Sequence, residues 1–216
     1  MSGTASTRLT TAMQALPLVA ILRGLRPDEA LAVGEALVDA GFRIIEVPLN
    51  SPEPYDSIGR LAERFGQTCV IGAGTVLEPA AVAKLEAAGG QLVVMPHADP
   101  AVITAAKAMG LACVPGVATP TEAFVALAAG ADALKLFPAE NLPPVTVKAM
   151  LAVLPTGTRL LPVGGIAPET MTDYVAAGTA GFGLGSALYK PGMTSAEVAE
   201  RAAAFVAAWQ ALRPAS

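Results

Sequence analysis

The residues with the clearest chemical potential are charged groups standing where apolar ones belong. The chain has five lysines. Lys84, Lys107 and Lys148 fall in helical patterns and read as solvated surface, and Lys190 lies beyond the last predicted strand. Lys135 sits inside Ala133-Leu134-Lys135-Leu136-Phe137, a short apolar run that reads as a strand. Side chains alternate along a strand, so Leu134 and Leu136 face one side and Lys135 the other. Burial penalises an ammonium and lowers its pKa, and the neutral amine that results attacks ketones to give Schiff bases. A lysine whose charge is paired in the interior fits this position equally well. Glu46 interrupts Ile44-Ile45-Glu46-Val47 in the same way. It reads either as the ion-pair partner of Lys135 or as a general acid/base beside a Schiff base. Both residues fall near the C-terminal ends of their predicted strands, which favours the catalytic reading.

Other candidates sit at the same ends. Arg23 follows the first predicted strand, and a guanidinium binds carboxylate or phosphate through paired donors. Gly164-Gly165 and Gly185-Ser186 follow the last two predicted strands. Glycines there read either as tight turns or as a phosphate site that lets backbone N–H groups approach an anion. His97 is the only histidine and follows the fourth predicted strand. One histidine without clustered Asp, Glu or Cys at ligand spacing argues against a metal site and against a histidine-dependent triad.

These residues need strands to carry them. Apolar runs at 18–22, 44–47, 70–72, 92–95, 112–114, 133–137, 160–163 and 181–184 read as eight buried strands, because parallel strands covered on both faces lose their polar alternation. Between them lie helical patterns at 28–40, 53–65, 79–88, 100–109, 120–129, 145–154, 168–177 and 196–212. Thr119-Pro120-Thr121-Glu122 reads as a capping box with proline in the first turn, and Asp99-Pro100 as a similar start. Gly41, Gly89, Gly110, Gly130 and Gly178 each close a helical pattern before a strand. The alternation predicts an α/β protein. Strand count and length favour a closed (β/α)8 barrel over an open doubly wound sheet, preceded by a short N-terminal helix. Neither Gly72-Ala73-Gly74 nor the glycines of 181–185 have the spacing of a dinucleotide fingerprint.

The 216 residues suit one domain spanning 1–216, with no visible linker. Apolar residues make up 53% and charged residues 15%, so much of the chain should be buried on more than one face. No apolar stretch approaches the ~18 residues of a membrane span. Residues 1–14 are polar and lack the apolar core of a secretory signal, and their Ser/Thr/Gly-rich start reads as a frayed end rather than an address. Cys69 and Cys113 lie in apolar runs and read as buried reduced thiols, consistent with a cytoplasmic protein. The net charge of −4 with no basic run argues against nucleic-acid binding.

Taken together, these residues resemble the 2-keto-3-deoxy-6-phosphogluconate and -phosphogalactonate aldolases over nearly the whole chain, 18–212. Ile21-Leu22-Arg23-Gly24 is similar to the family's first-strand phosphate contact. Glu46-Val47-Pro48-Leu49-Asn50-Ser51 carries the position of the catalytic glutamate, Gly72-Ala73-Gly74-Thr75-Val76 a substrate-contacting threonine, and Leu134-Lys135-Leu136-Phe137-Pro138 the Schiff-base lysine. Pro162-Val163-Gly164-Gly165-Ile166 resembles the galactonate branch, because the gluconate enzymes typically have threonine before the glycine pair. Leu49-Asn50-Ser51-Pro52 and the stretch 183–189 point the same way. After the fourth strand the family usually has a small polar residue, then Pro, then Asn or Gly. Here the stretch is Met95-Pro96-His97, so Pro96 is kept and its polar neighbours are not.

The resemblance implies a homotrimeric Schiff-base aldolase that cleaves a phosphorylated 2-keto-3-deoxy sugar acid to pyruvate and glyceraldehyde 3-phosphate, without metal or organic cofactor. Lys135 would form the imine and Glu46 would shuttle protons. Arg23, Gly165, Gly185 and Ser186 would hold phosphate. Thr75, Pro96, Val163 and Gly164 would meet the rest of the substrate. Three alternatives remain at this level: the same reaction on the gluconate epimer, an isomerase or epimerase using Glu46 as a simple base, and a non-catalytic barrel that binds phosphorylated ligands.

Overall fold

A computed structural model describes residues 3–212. Its strands are β1 (Leu18–Ile21), β2 (Ile44–Pro48), β3 (Val70–Gly74), β4 (Leu92–Val94), β5 (Ala112–Val114), β6 (Gly116–Val117), β7 (Leu134–Leu136), β8 (Leu160–Pro162) and β9 (Phe182–Leu184). Every ladder is parallel, in the orders β5-β4-β3-β2-β1-β9 and β6-β7-β8. One further bridge, Val163 to Gly183, links the end of β8 to β9. All eight predicted runs form strands, and the extra segment has a simple cause. Pro115 has no N–H and interrupts the ladder, so the chain pairs with β4 before it and with β7 after it.

Helices alternate with the strands: α1 (Ala5–Ala15), α2 (Ala30–Asp39), α3 (Pro54–Phe65), α4 (Pro79–Ala87), α5 (Pro100–Ala108), α6 (Pro120–Ala128), α7 (Pro144–Leu151), α8 (Met171–Ala176) and α9 (Ser195–Leu212). The capping box at Thr119 and Glu122 is formed, and the Asp99 side chain accepts from the Ala101 N–H at 2.8 Å. The glycines after helices adopt left-handed φ, Gly41 at 106° among them. The pattern over 168–177 divides into a 3-10 turn, Pro168–Thr170, and the short α8. There the Thr170 hydroxyl bonds both the N–H and the carbonyl of Ala167, which tightens the first turn.

The sheet is curled and buries both faces. Leu18, Ala20, Leu134 and Leu136 join the large cluster shared with the outer helices. Val19, Ile44, Val70, Leu92, Val114 and Leu161 form a second cluster on the concave side. Lys135 points to that concave side, as strand alternation predicted.

The expected short N-terminal helix forms as α1, and it begins inside the Ser/Thr/Gly-rich stretch that reads as a frayed end. Thr4 caps α1, and Leu9, Ala12 and Met13 lie on one helical face that packs into the concave cluster. Polar contacts fasten α1 to the strand ends. Lys107 Nζ donates to Ser6 (2.8 Å) and Asp132 (2.7 Å), Arg159 donates to Thr10 (3.0 Å), and Arg8 donates to the Cys69 carbonyl (3.0 Å) and to that of Gly66. Residues 1–2, the very start of that stretch, lie outside the described residues.

Both cysteines are buried, and burial pushes the Cys113 thiol up to about 12. Among the described residues no helix is long and apolar enough to cross a membrane.

Candidate active site

Lys135 and Glu46 are 6% and 1% exposed. Strand register brings them to the same end of the sheet. Glu46 pairs with Ile21 of β1 and Gly72 of β3, and Lys135 pairs with Gly116 of β6. Both line an apolar floor with Ile21, Val94, Val114 and Val163. Among the described residues no ion pair joins them. Burial, with Arg23 adding to it and Glu46 opposing, holds the Lys135 amine below its ordinary value. Its Nζ lies 4.6 Å from the centre of the Phe137 ring. Burial raises the Glu46 carboxyl to about 7, against the pull of Lys135 and Arg23. One Glu46 oxygen, Oε2, is buried and meets no hydrogen-bond partner among the described residues. Gly74 makes room for that carboxylate, since a Cβ there would overlap it. A depressed amine and an elevated carboxyl, close together and without a direct bond, suit nucleophilic and acid/base chemistry near neutral pH.

Above this floor opens a cavity of about 840 Å³. It brings together Arg23, Lys135, Val163, Gly164, Gly165, Gly185 and Ser186 from four separate segments. Arg23 Nη1 donates to Asn50 Oδ1 at 2.7 Å, and the Gly24 N–H donates to Ser51 Oγ at 2.9 Å, so the loops after β1 and β2 steady each other. Val163 is buried, and its Cγ2 lies 2.6 Å from where a Gly183 Cβ would stand. Gly164 and Gly165 have φ of 111° and 64°, and the Glu140 carboxylate fills the space their Cβ atoms would need. Gly185 differs: its φ is ordinary, and a Cβ there would meet nothing within 4 Å.

Thr75, Pro96 and His97 do not line this cavity. Thr75 follows Gly74 with φ of 55°, an uncommon conformation for a β-branched residue. The Pro96 backbone abuts Gly116, the strand partner of Lys135, and places His97 on that side. Sequence reasoning gave no site role to Asn50, Phe137, Glu140, Lys190 or Arg201, all of which line the cavity. Phe137 and Glu140 lie just past Lys135 in sequence, which was a usable signal. Arg201 on a long amphipathic helix gave none.

A family profile described as KDPG and KHG aldolase matches residues 9–204. The chain belongs to that aldolase family. Within it, the chain is 50% identical to a probable 2-dehydro-3-deoxy-6-phosphogalactonate aldolase of Rhizobium meliloti (strain 1021), over 91% of this chain and 92% of that one. It is 49% identical to the 2-dehydro-3-deoxy-6-phosphogalactonate aldolase of Escherichia coli (strain K12), over 90% and 95%. A solved structure described as native KDPGal superposes with a TM-score of 0.90 at 48% identity, over 91% of this chain and 96% of that one. Membership in the aldolase family gives the buried amine and carboxyl at the cavity floor a chemical context.

Proposed function

We propose that the chain is a Schiff-base aldolase that cleaves 2-dehydro-3-deoxy-6-phosphogalactonate to pyruvate and glyceraldehyde 3-phosphate. The observation that carries this reading is the buried Lys135 amine, held below its ordinary pKa beside an elevated Glu46 carboxyl, under a cavity lined by cations and glycines. Neutral Lys135 attacks the keto carbon C2, and loss of water leaves an iminium. Glu46 takes the proton of the C4 hydroxyl, directly or through water. The C4–O electrons form the new carbonyl as the C3–C4 bond breaks, and its pair flows into the iminium to give an enamine. Glyceraldehyde 3-phosphate leaves. The enamine takes a proton at C3, and water hydrolyses the imine, releasing pyruvate and the free amine. In this reading Arg23, Gly165, Gly185 and Ser186 hold phosphate, Gly164 and Val163 meet the sugar chain, and Thr75 and Pro96 back the keto-acid end.

The galacto assignment is supported by the names of the two relatives and by Val163 on the cavity wall. The same reading extends to a closed (β/α)8 barrel, supported by the Val163–Gly183 bridge and by the run of β5 into β6 across Pro115. It takes 1–216 as a single domain, of which 1–2 and 213–216 lie outside the described residues. It includes a homotrimer, on the family resemblance, and a cytoplasmic location, because a phosphorylated sugar acid does not cross membranes unaided.

The test is borohydride reduction in the presence of pyruvate. Mass spectrometry should find the reduced adduct on Lys135, and its absence would remove the imine. Assaying both phosphorylated epimers side by side settles the substrate, and equal kcat/KM would remove the galacto assignment while leaving the aldolase standing.

A further inference from the structure

Arg201 stands on α9, fixed by a face of buried Val198, Ala202 and Phe205, yet its side chain reaches the mouth of the site. Nη1 donates to the Ala187 carbonyl at 3.2 Å and to the Ser186 carbonyl at 3.4 Å. The carboxylate one turn earlier, Glu197, is already engaged by the Thr194 N–H and hydroxyl, both at 2.8 Å. Among the described residues no ion pair takes up the Arg201 charge, and its Nε and Nη2 meet no acceptor.

The turn it grips is the one after β9. The Gly185 carbonyl accepts from the Leu188 and Tyr189 N–H groups at 2.9 and 3.0 Å, whereas the N–H groups of Ser186 and Ala187 have no acceptor among the described residues. In a trans peptide the N–H points opposite to the carbonyl. Fixing the Ser186 carbonyl therefore fixes the Ala187 N–H away from Arg201. Besides the Lys135 amine, the cavity is lined by Arg23, Lys190 and Arg201 against one carboxylate, Glu140. That balance fits a ligand carrying a phosphate as well as a carboxylate.

We propose that Arg201 is a positioning residue for the phosphate end of the substrate: it clamps the Ser186 and Ala187 carbonyls, so that the turn's free N–H groups stay set for the anion, and it places its own charge behind them. This rests on the aldolase reading. It predicts a defect confined to the phosphate, because pyruvate bound at Lys135 carries none.

The test compares wild type, R201Q and R201K on 2-dehydro-3-deoxy-6-phosphogalactonate and on its unphosphorylated form, with pyruvate–borohydride trapping as a third readout. R201Q should lose roughly 10- to 100-fold in kcat/KM on the phosphorylated substrate, the range for a lost charge-assisted hydrogen bond. The unphosphorylated substrate and the trapping rate should change less than about threefold on the same scale. R201K keeps the charge but not the planar fork, and should fall in between. A parallel fall on both substrates, or no fall on the phosphorylated one, overturns the proposal. If R201Q does not fold, R201K decides alone: unchanged discrimination between the two substrates overturns it. Wild type that is not trapped by pyruvate refutes the aldolase reading instead, so the two failures are distinguishable.

Discussion

Lys135 depends on its position rather than its charge. Its amine is useful because burial keeps a fraction of it neutral, and a guanidinium cannot imitate that. Lys135→Arg and Lys135→Ala should therefore both abolish cleavage while leaving the far-ultraviolet circular dichroism unchanged. Substantial turnover by the arginine variant would show that the group acts only through its charge. Val163 carries a second expectation at this scale. Its buried, apolar side chain walls the cavity beside the glycine pair and offers a substrate hydroxyl no hydrogen bond. Val163→Thr adds a hydroxyl at nearly constant volume. The kcat/KM ratio should move toward the gluco epimer by roughly ten- to a hundredfold, the scale of one hydrogen bond gained or lost in a dry site. An unmoved ratio would place epimer recognition elsewhere on the wall. Lys135 and Glu46 were legible in the sequence because each breaks an apolar strand, a pattern the fold tolerates only at a cost. Asn50 and Arg201 were not. An asparagine in a loop and an arginine on an exposed helical face are ordinary, and only three-dimensional proximity to Arg23 and Ser186 gives them a role.

The strand-end loops divide their glycines by purpose. Gly74, Gly164 and Gly165 are required by the protein itself, the first to admit the Glu46 carboxylate and the others by left-handed φ and the crowding of Glu140. Gly185 answers to no neighbour within 4 Å and to no unusual φ. We expect Gly185→Ala to leave the melting temperature within about 2 °C, since surface substitutions away from special features usually stay within ±0.5 kcal/mol. It should nonetheless raise KM for the phosphorylated substrate several-fold by occupying the space the anion needs. A large drop in melting temperature with unaltered KM would assign the glycine to folding. Element order was readable because apolar runs and helix caps alternate so regularly along the chain. The division of one strand at Pro115 and the 3-10 turn before α8 were not. Both follow from single residues, a proline that withdraws an N–H and a threonine hydroxyl that competes for Ala167, inside otherwise normal patterns.

At the level of the whole molecule, burying Glu46 lowers stability in a way that pH reveals. Its carboxyl lies at about 7 in the folded chain against 4.5 for the ordinary group, so the folded state holds the proton more tightly. That contribution is fully present below about pH 4.5 and is lost as pH rises through 7, a swing of about 3 kcal/mol. Glu46→Gln removes the titration. Relative to wild type it should gain stability between pH 5 and pH 8 in urea denaturation, while turnover falls by roughly 10²-fold or more. Parallel stability profiles for the two proteins would mean that Glu46 does not titrate in this window. The N-terminal helix was expected, but its packing was not legible, because the polar composition of α1 conceals three apolar residues on one face. Leu9, Ala12 and Met13 fill the concave side of the sheet from the end opposite the cavity, and Leu9 reaches the floor on which Lys135 and Glu46 stand. With that end stoppered, the amine has one entrance: whatever reaches Lys135 comes in past Arg23 and the glycine loops, and leaves by the same door. In the proposed reaction the enamine keeps pyruvate on Lys135 while the phosphorylated fragment goes free, and a plugged inner end leaves both products the same exit.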